Sequence, residues 1–154
     1  MQKVLILDFG SQYTQLIARK TRELGIYSEI HPYNMSISEI QKMAPQAIIL
    51  SGSPYSIGRE NAPKPSMQIW DMGLPILGIC YGMQLVAERF GGLVSAARER
   101  EYGKAELSIK HADMLLTNID DGSQVWMSHG DKVEKISDEF MVLAETRNSH
   151  HAVI

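Results

Sequence analysis

Cysteine is all but missing: Cys80 stands alone in 154 residues, so no internal disulfide can form, and the chain suits a reducing compartment. No apolar run approaches the ~20 residues of a membrane-crossing helix. The N-terminus, Met1-Gln2-Lys3-Val4-Leu5-Ile6-Leu7-Asp8, turns acidic too soon for a secretory signal. Positive charge is scarce as well. Fifteen Lys and Arg against 18 Asp and Glu leave a net charge of −3, which gives no basic footprint for nucleic acid or an anionic membrane. There is no internal repeat, no low-complexity tract and no G-x-x-x-x-G-K-S/T phosphate loop. Asp120-Asp121-Gly122-Ser123 reads as a turn, and it lacks the further oxygen ligands at loop spacing that a calcium site needs, so no metal site is expected. These exclusions leave a cytoplasmic protein expected to form one domain, 1–154, with 44% hydrophobic residues to build its core.

What is present is a rhythm of short apolar runs broken by glycine and serine. Val4-Leu5-Ile6-Leu7 reads as a fully buried strand that stops at Asp8-Phe9-Gly10-Ser11. A helix is expected next, capped by Ser11, with Leu16, Ile17 and Leu24 inward and Gly25 as its stop. Residues 26–31 can form a second strand, and Ser36 or Ser38 can start a weaker helix that ends at Pro45. Ala47-Ile48-Ile49-Leu50 is a third strand, broken by Ser51-Gly52-Ser53-Pro54. A helix over 65–72, stopped by Gly73, leads to a fourth strand over 76–79. The fold class is therefore α/β, a mostly parallel or mixed central sheet flanked by helices on both faces. After Gly91-Gly92 the strands Leu93-Val94, 105–109, 125–128 and 141–144 alternate in polarity and are expected to complete a mixed part of that sheet. The charge run Arg98-Glu99-Arg100-Glu101 is read as a solvated connection.

The most informative stretch is Gly78-Ile79-Cys80-Tyr81-Gly82, where an apolar run ends and helical spacing begins at Met83, Val86, Ala87 and Phe90. This is the cysteine counterpart of the G-x-S-x-G nucleophile elbow. The two glycines remove side chains where the turn passes close to neighbouring backbone, and a helix N-terminus beside the sulfur favours thiolate. The backbone N–H of Tyr81 is placed to donate to an oxyanion. A buried structural cysteine at a strand end is the competing reading. Ligands in such sheets gather beyond the carboxyl ends of the strands, and Asp8-Phe9-Gly10-Ser11, Ser51-Gly52-Ser53-Pro54 and Cys80 all fall there, which favours the catalytic reading.

Four blocks in order resemble the class I glutamine amidotransferase domain, a flavodoxin-like fold, and within that class the GMP synthetase family. They are residues 6–16, Ile49-Leu50-Ser51-Gly52, residues 78–84, and Val125-Trp126-Met127-Ser128-His129-Gly130-Asp131-Lys132-Val133. The resemblance implies that the domain hydrolyses glutamine to glutamate and ammonia, and that an ATP-using synthetase module aminates XMP to GMP. Cys80 would attack the side-chain amide and form a glutamyl thioester, splitting one difficult hydrolysis into two acyl transfers. Tyr81 and Gly52 or Ser53 would supply the backbone oxyanion donors. Gln84, Ser128, His129 and Gly130 would hold the glutamine. The implied partners are glutamine and a synthetase domain or subunit, with no cofactor for this domain and with ATP and magnesium for the synthetase module. A homodimer formed through segments outside the chain is left open.

Two departures stand out. The family has a second glycine where this chain has Ser53, which is harmless if φ there is negative and stores about 1–3 kcal/mol of strain if it is positive. The family also activates its cysteine with a His-Pro-Glu motif, and none of His31, His111, His129, His150 and His151 stands in one. The motif is expected past Ile154, so the chain reads as the front part of a longer polypeptide, or as a piece of a separate subunit. His129 is the candidate substitute base, and His150 and His151 are expected on a loose tail. General-base help is typically worth about 10²–10⁴ in rate, so negligible glutaminase activity is expected of residues 1–154 alone. A sheet edge or strip of core is expected to be bare near residues 145–154, favouring association or partial disorder. Two other functions compete: a catalytically incomplete glutamine-binding regulator, and a small cysteine hydrolase such as a peptidase or deglycase on the same architecture. The Ser128-His129-Gly130-Asp131 block argues against the latter.

Overall fold

The structure, a computed structural model, describes residues 2–154 except for the side chains of residues 97–102, 128 and 129. Two compact units divide the chain, Met1–Leu85 and Val86–Ile154.

The first unit is built on a four-stranded parallel sheet in the order β2-β1-β3-β4, from β1 (Lys3–Asp8), β2 (Tyr27–Pro32), β3 (Ala47–Leu50) and β4 (Ile76–Gly78). Leu5, Ile6 and Leu7 are successive residues with no exposed surface, as a strand covered on both faces requires. The chain steps from β1 outward to β2 and then back across β1 to β3. Right-handed crossovers therefore put α1 (Thr14–Glu23) on one face and α2 (Ile37–Met43), with the 3-10 turn Met67–Asp71, on the other.

Helix α2 starts where a capping box predicts: the Ser36 hydroxyl accepts from the Glu39 amide while the Glu39 carboxylate accepts from the Ser36 amide. The Ser36 hydroxyl also donates to the Glu39 carboxylate and holds that carboxyl below its usual range. Helix α1 differs from expectation. Ser11 accepts from the Tyr13 amide in a local turn, and the N-cap position falls to Tyr13, which makes no side-chain cap. The inner stripe is Thr14 and Ala18, while Leu16 and Leu24 are 40% and 78% exposed. Leu16 lies one step around the helix from the half-buried Ile17, and Leu24 is the C-cap residue, past the last turn. Polar ties fix α1 instead of leucine packing: Arg22 donates to the Ser28 carbonyl at 2.8 Å and the Ser28 hydroxyl to the Ala18 carbonyl at 3.2 Å. Gly25, at φ +76°, ends the helix as predicted.

The second unit does not extend that sheet. Its strands form two separate antiparallel pairs, β5 (Leu93–Glu106) with β7 (Gln124–Lys135), and β6 (Ser108–Ile109) with β8 (Ala144–Glu145). The run 98–101 falls inside β5 rather than on a connection, at a register shift between Ala96 and Glu101, and its side chains lie outside the described residues. Alternating polarity here marks a ribbon whose edges carry no further strand among the described residues, which is why it reads as half-exposed sheet in the sequence. The end of the chain is tied down where looseness is expected. Val153 exchanges backbone bonds with Ala144, Thr146 and Ser149 are buried, and His151 Nδ1 contacts the Val133 carbonyl at 2.8 Å. His150 is the exposed one, paired with Glu145 at 3.6 Å.

Candidate active site

The turn after β4 is forced by its neighbours. The Ile79 amide donates to the Leu50 carbonyl at 2.9 Å, which carries the chain over the end of β3, and the Gly82 amide returns to the Ile79 carbonyl at 3.0 Å. Between them Cys80 takes φ +52°, a left-handed conformation unusual for a residue with a side chain. A Cβ at Gly78 would stand 2.5 Å from the Gly82 backbone, and one at Gly82 would stand 2.2 Å from the Leu50 oxygen. Both glycines are therefore obligatory, and the strained, tightly wedged cysteine at the start of α3 (Tyr81–Arg89) has the elbow geometry read from the sequence.

Three strand ends meet at this point. A Cβ at Gly52 would lie 3.6 Å from Cys80 Cβ and 3.3 Å from Ser11 Oγ, so the loops after β1 and β3 both reach the elbow. Asp8 shapes the first loop by accepting from the Gly10 amide at 2.9 Å and from the Thr14 hydroxyl at 2.7 Å. The second loop is held at both ends. The Ser51 hydroxyl accepts from the Phe9 amide, and the Tyr81 phenol donates to the Pro63 carbonyl at 2.8 Å. Tyr81 is 2% exposed and packs on Phe9, which stacks in turn on Tyr33. Ser53 is not among the residues with positive φ, so its side chain stores no left-handed strain. The Gly52 and Ser53 amides have no acceptor among the described residues.

Gln84, one turn into α3, is buried, and its backbone N–H donates to the Cys80 carbonyl at 3.1 Å. Ser128, His129 and Gly130 fall on β7 of the second unit; the side chains of Ser128 and His129 lie outside the described residues. A cavity of 470 Å³ opens beside the site at the carboxyl ends of β1 and β2, lined in part by Asp8, Phe9, Tyr33, Tyr55 and Asn61; Cys80 does not line it.

The electrostatics correct one expectation. Cys80 is half-buried, and burial pushes its thiol up from the usual value, with no opposing charge among the described residues. A helix N-terminus is worth about 0.3–1 kcal/mol to a nearby charge, less than one pKa unit at about 1.4 kcal/mol each, whereas desolvation can shift a buried group by several. The thiol form therefore dominates at neutral pH. His31, the first unit's histidine, is occupied by Glu29 at 3.2 Å, which lowers that carboxyl.

Sequence reasoning missed the Ser51 hydroxyl and the Tyr81 phenol. Nothing in a Ser after a strand, or in a Tyr chosen for its backbone, announces a buried side-chain bond.

The fold and the turn define an α/β protein with a cysteine at a nucleophile elbow. A model of the class-I glutamine amidotransferases matches residues 5–154, and the chain belongs to that family. It is 51% identical over 154 residues to the glutamine-hydrolyzing GMP synthase of Brachyspira hyodysenteriae, covering 100% of this chain and 30% of that protein. It is 54% identical over 153 residues to that of Chlorobium limicola, covering 97% and 30%. The chain thus spans 30% of the length of these relatives. Among solved structures, a Thermoplasma acidophilum chain assigned to GMP synthase matches with a TM-score of 0.89 and 31% identity, over 98% of this chain and 76% of that one. A Thermotoga maritima glutamine amidotransferase at 18% identity and a TM-score of 0.74 shares the fold, over 96% of this chain and 68% of that one.

Proposed function

We propose that this domain hydrolyses glutamine through a Cys80 thioester and supplies the ammonia for amination of XMP to GMP. The observation that carries the reading is the left-handed Cys80, wedged between two obligatory glycines with Gly52 at its side. The thiolate attacks the side-chain amide carbon, and the carbonyl oxygen becomes an oxyanion received by the backbone amides of Tyr81 and Ser53, with Gly52 behind them. Collapse of this intermediate breaks the C–N bond, and ammonia leaves with a proton. Water then attacks the thioester, releasing glutamate and restoring the thiol. Gln84 holds the glutamine head group on this reading.

Because burial raises the Cys80 thiol, turnover needs a general base, and we assign that base to residues other than the histidines among 1–154. On this reading the ammonia passes to a synthetase module that uses ATP and magnesium. Glutaminase domain and synthetase act as partners, in the cytoplasm; among the described residues no helix is long and apolar enough to cross a membrane.

The test is a pair of measurements on the full-length protein and on residues 1–154. A diazo-ketone glutamine analogue should label Cys80, seen by mass spectrometry, and Cys80→Ala should abolish glutamate release by the full-length protein. Residues 1–154 alone should release ammonia at a negligible rate. Full-length protein that hydrolyses no glutamine and takes no label at Cys80 refutes the proposal in favour of a glutamine-binding regulator.

A further inference from the structure

Ser51 is the first residue past β3, and none of it is exposed. Its hydroxyl accepts from the Phe9 amide at 3.0 Å and donates to the Gly52 carbonyl, also at 3.0 Å. The second bond fixes more than the oxygen it touches. The Gly52 carbonyl and the Ser53 amide belong to one trans peptide plane and point in opposite directions. Holding the oxygen toward Ser51 therefore aims the Ser53 N–H the other way, and that N–H has no acceptor among the described residues. Such a peptide needs a lock. Gly52 has no Cβ to resist rotation about its own bonds, and the space at its α-carbon is already shared with Ser11 Oγ and Cys80 Cβ. The Phe9 amide completes the device, because it occupies the hydroxyl oxygen from the β1 side and leaves the single proton for Gly52.

We infer that Ser51 is a positioning residue for glutamine hydrolysis: its buried hydroxyl, seated on the Phe9 amide, locks the Gly52–Ser53 peptide so that the Ser53 N–H stays available to the oxyanion. The inference rests on the glutaminase reading for its chemistry, and on the Ser51 bonds for its geometry. With the lock removed, the flipped peptide becomes the dominant state, and one of the two oxyanion donors is lost for nearly all of the time while the glutamine site is intact.

The experiment uses the full-length protein and the variants Ser51→Ala and Ser51→Thr. Ser51→Ala should lower kcat for glutamine by about 10²-fold, the effect of removing one oxyanion donor, with KM close to wild type; Ser51→Thr, which keeps the hydroxyl, should restore most of kcat. Alkylation of Cys80 by iodoacetamide forms no oxyanion and should proceed at the same rate in all three. The lock itself is read without turnover, by 15N relaxation dispersion at the Ser53 amide: flat in wild type and in Ser51→Thr, with an exchange contribution in Ser51→Ala. Wild-type kcat with flat dispersion in Ser51→Ala overturns the inference, as does a parallel fall in turnover and alkylation, which marks a general structural role. If wild type hydrolyses no glutamine, the glutaminase reading fails, and the dispersion result alone decides the lock.

Discussion

The two units of this chain immobilise their backbone by different means. Up to Leu85, the central strand β1 is buried on both faces, and the loops at the carboxyl ends of the strands are cross-tied by side chains: Asp8 to Gly10 and Thr14, Ser51 to Phe9 and Gly52, Tyr81 to Pro63. From Val86 onward, two-stranded ribbons carry the fold, and large apolar side chains such as Trp126 and Leu93 are 70% and 58% exposed. Ion pairs of the second unit lie at the surface, among them Lys110 with Glu145 at 2.6 Å, which holds that carboxyl below its usual range. A site that must hold backbone amides still while charge develops needs the first arrangement, and that is where Cys80 stands.

The sharpest way to break the contrast is to crowd the elbow. Gly82→Ala drives a Cβ to within 2.2 Å of the Leu50 oxygen, and because that atom is backbone in a buried strand, it cannot turn aside. Overpacking costs typically about 1–3 kcal/mol and sometimes more; here the expected outcome is loss of cooperative folding by circular dichroism. Gly58→Ala is the control in the same unit, since a Cβ there meets nothing within 4 Å, and its urea midpoint should stay at or slightly above wild type.

Next in size is the core itself. Ile48→Ala, at a position with no exposed surface in β3, should cost about 3–5 kcal/mol, and Leu143→Ala in the second unit, at 7% exposure, about 2–3 kcal/mol, both within the usual range for buried aliphatic truncation. Trp126→Ala should fall within about 0.5 kcal/mol of wild type. Urea denaturation ranks all three; a Trp126 variant as damaging as Ile48→Ala would mean the ribbon is packed in a way its exposure does not show.

A third comparison separates strain from burial at the nucleophile. Both Cys80→Ala and Cys80→Gly remove the thiol, but only glycine accepts φ +52° without penalty. The glycine variant should be the more stable of the two by about 1–2 kcal/mol. Wild type should also lose stability in alkali. The folded thiol has its pKa raised by burial, so the folded state keeps its proton at a pH where the unfolded state releases it; the contribution is complete below the unfolded value and disappears as pH rises through the folded one. Urea midpoints near neutral pH and above about pH 9 should diverge in wild type and not in either variant, once other groups are matched by subtraction.

The same division governs what the sequence discloses. Leu5-Ile6-Leu7 announces a strand because burial on both faces leaves no polar position, and Ile48-Ile49-Leu50 because Ile48 and Leu50 are fully buried with only Ile49 between them half-buried. Gly78 and Gly82 announce the elbow because sterics permit nothing else there. The stripe of α1 misleads because Leu16 and Leu24 carry hydrophobicity without burial, while Thr14 and Ala18 carry burial without it. The second unit's strands are legible, but their separation from the main sheet is not, since alternation describes a half-exposed strand without naming its partner. The thiol's upward shift escapes a sequence reading because a helix end is visible there and the desolvation around a sulfur is not.

The smallest effect asks whether the contrast reaches the helix caps. Ser36 and Asp113 both accept from a backbone amide at the start of a helical segment, Ser36 from Glu39 at 3.3 Å and Asp113 from Leu115 at 2.9 Å. Distance alone would favour Asp113. But Ser36 caps a seven-residue helix whose Ile40 is fully buried, and Glu39 closes the box from the other side. Asp113 caps a three-residue 3-10 turn, Met114–Leu116, whose Met114 is 85% exposed. A freed amide costs stability only if the segment it belongs to is anchored; otherwise the turn opens and water satisfies it. Ser36→Ala should therefore cost about 1 kcal/mol and Asp113→Ala about 0.3 kcal/mol, as for an ordinary surface change. Equal losses by urea denaturation would show that the second unit's surface turns are coupled to its core as tightly as the caps of the first.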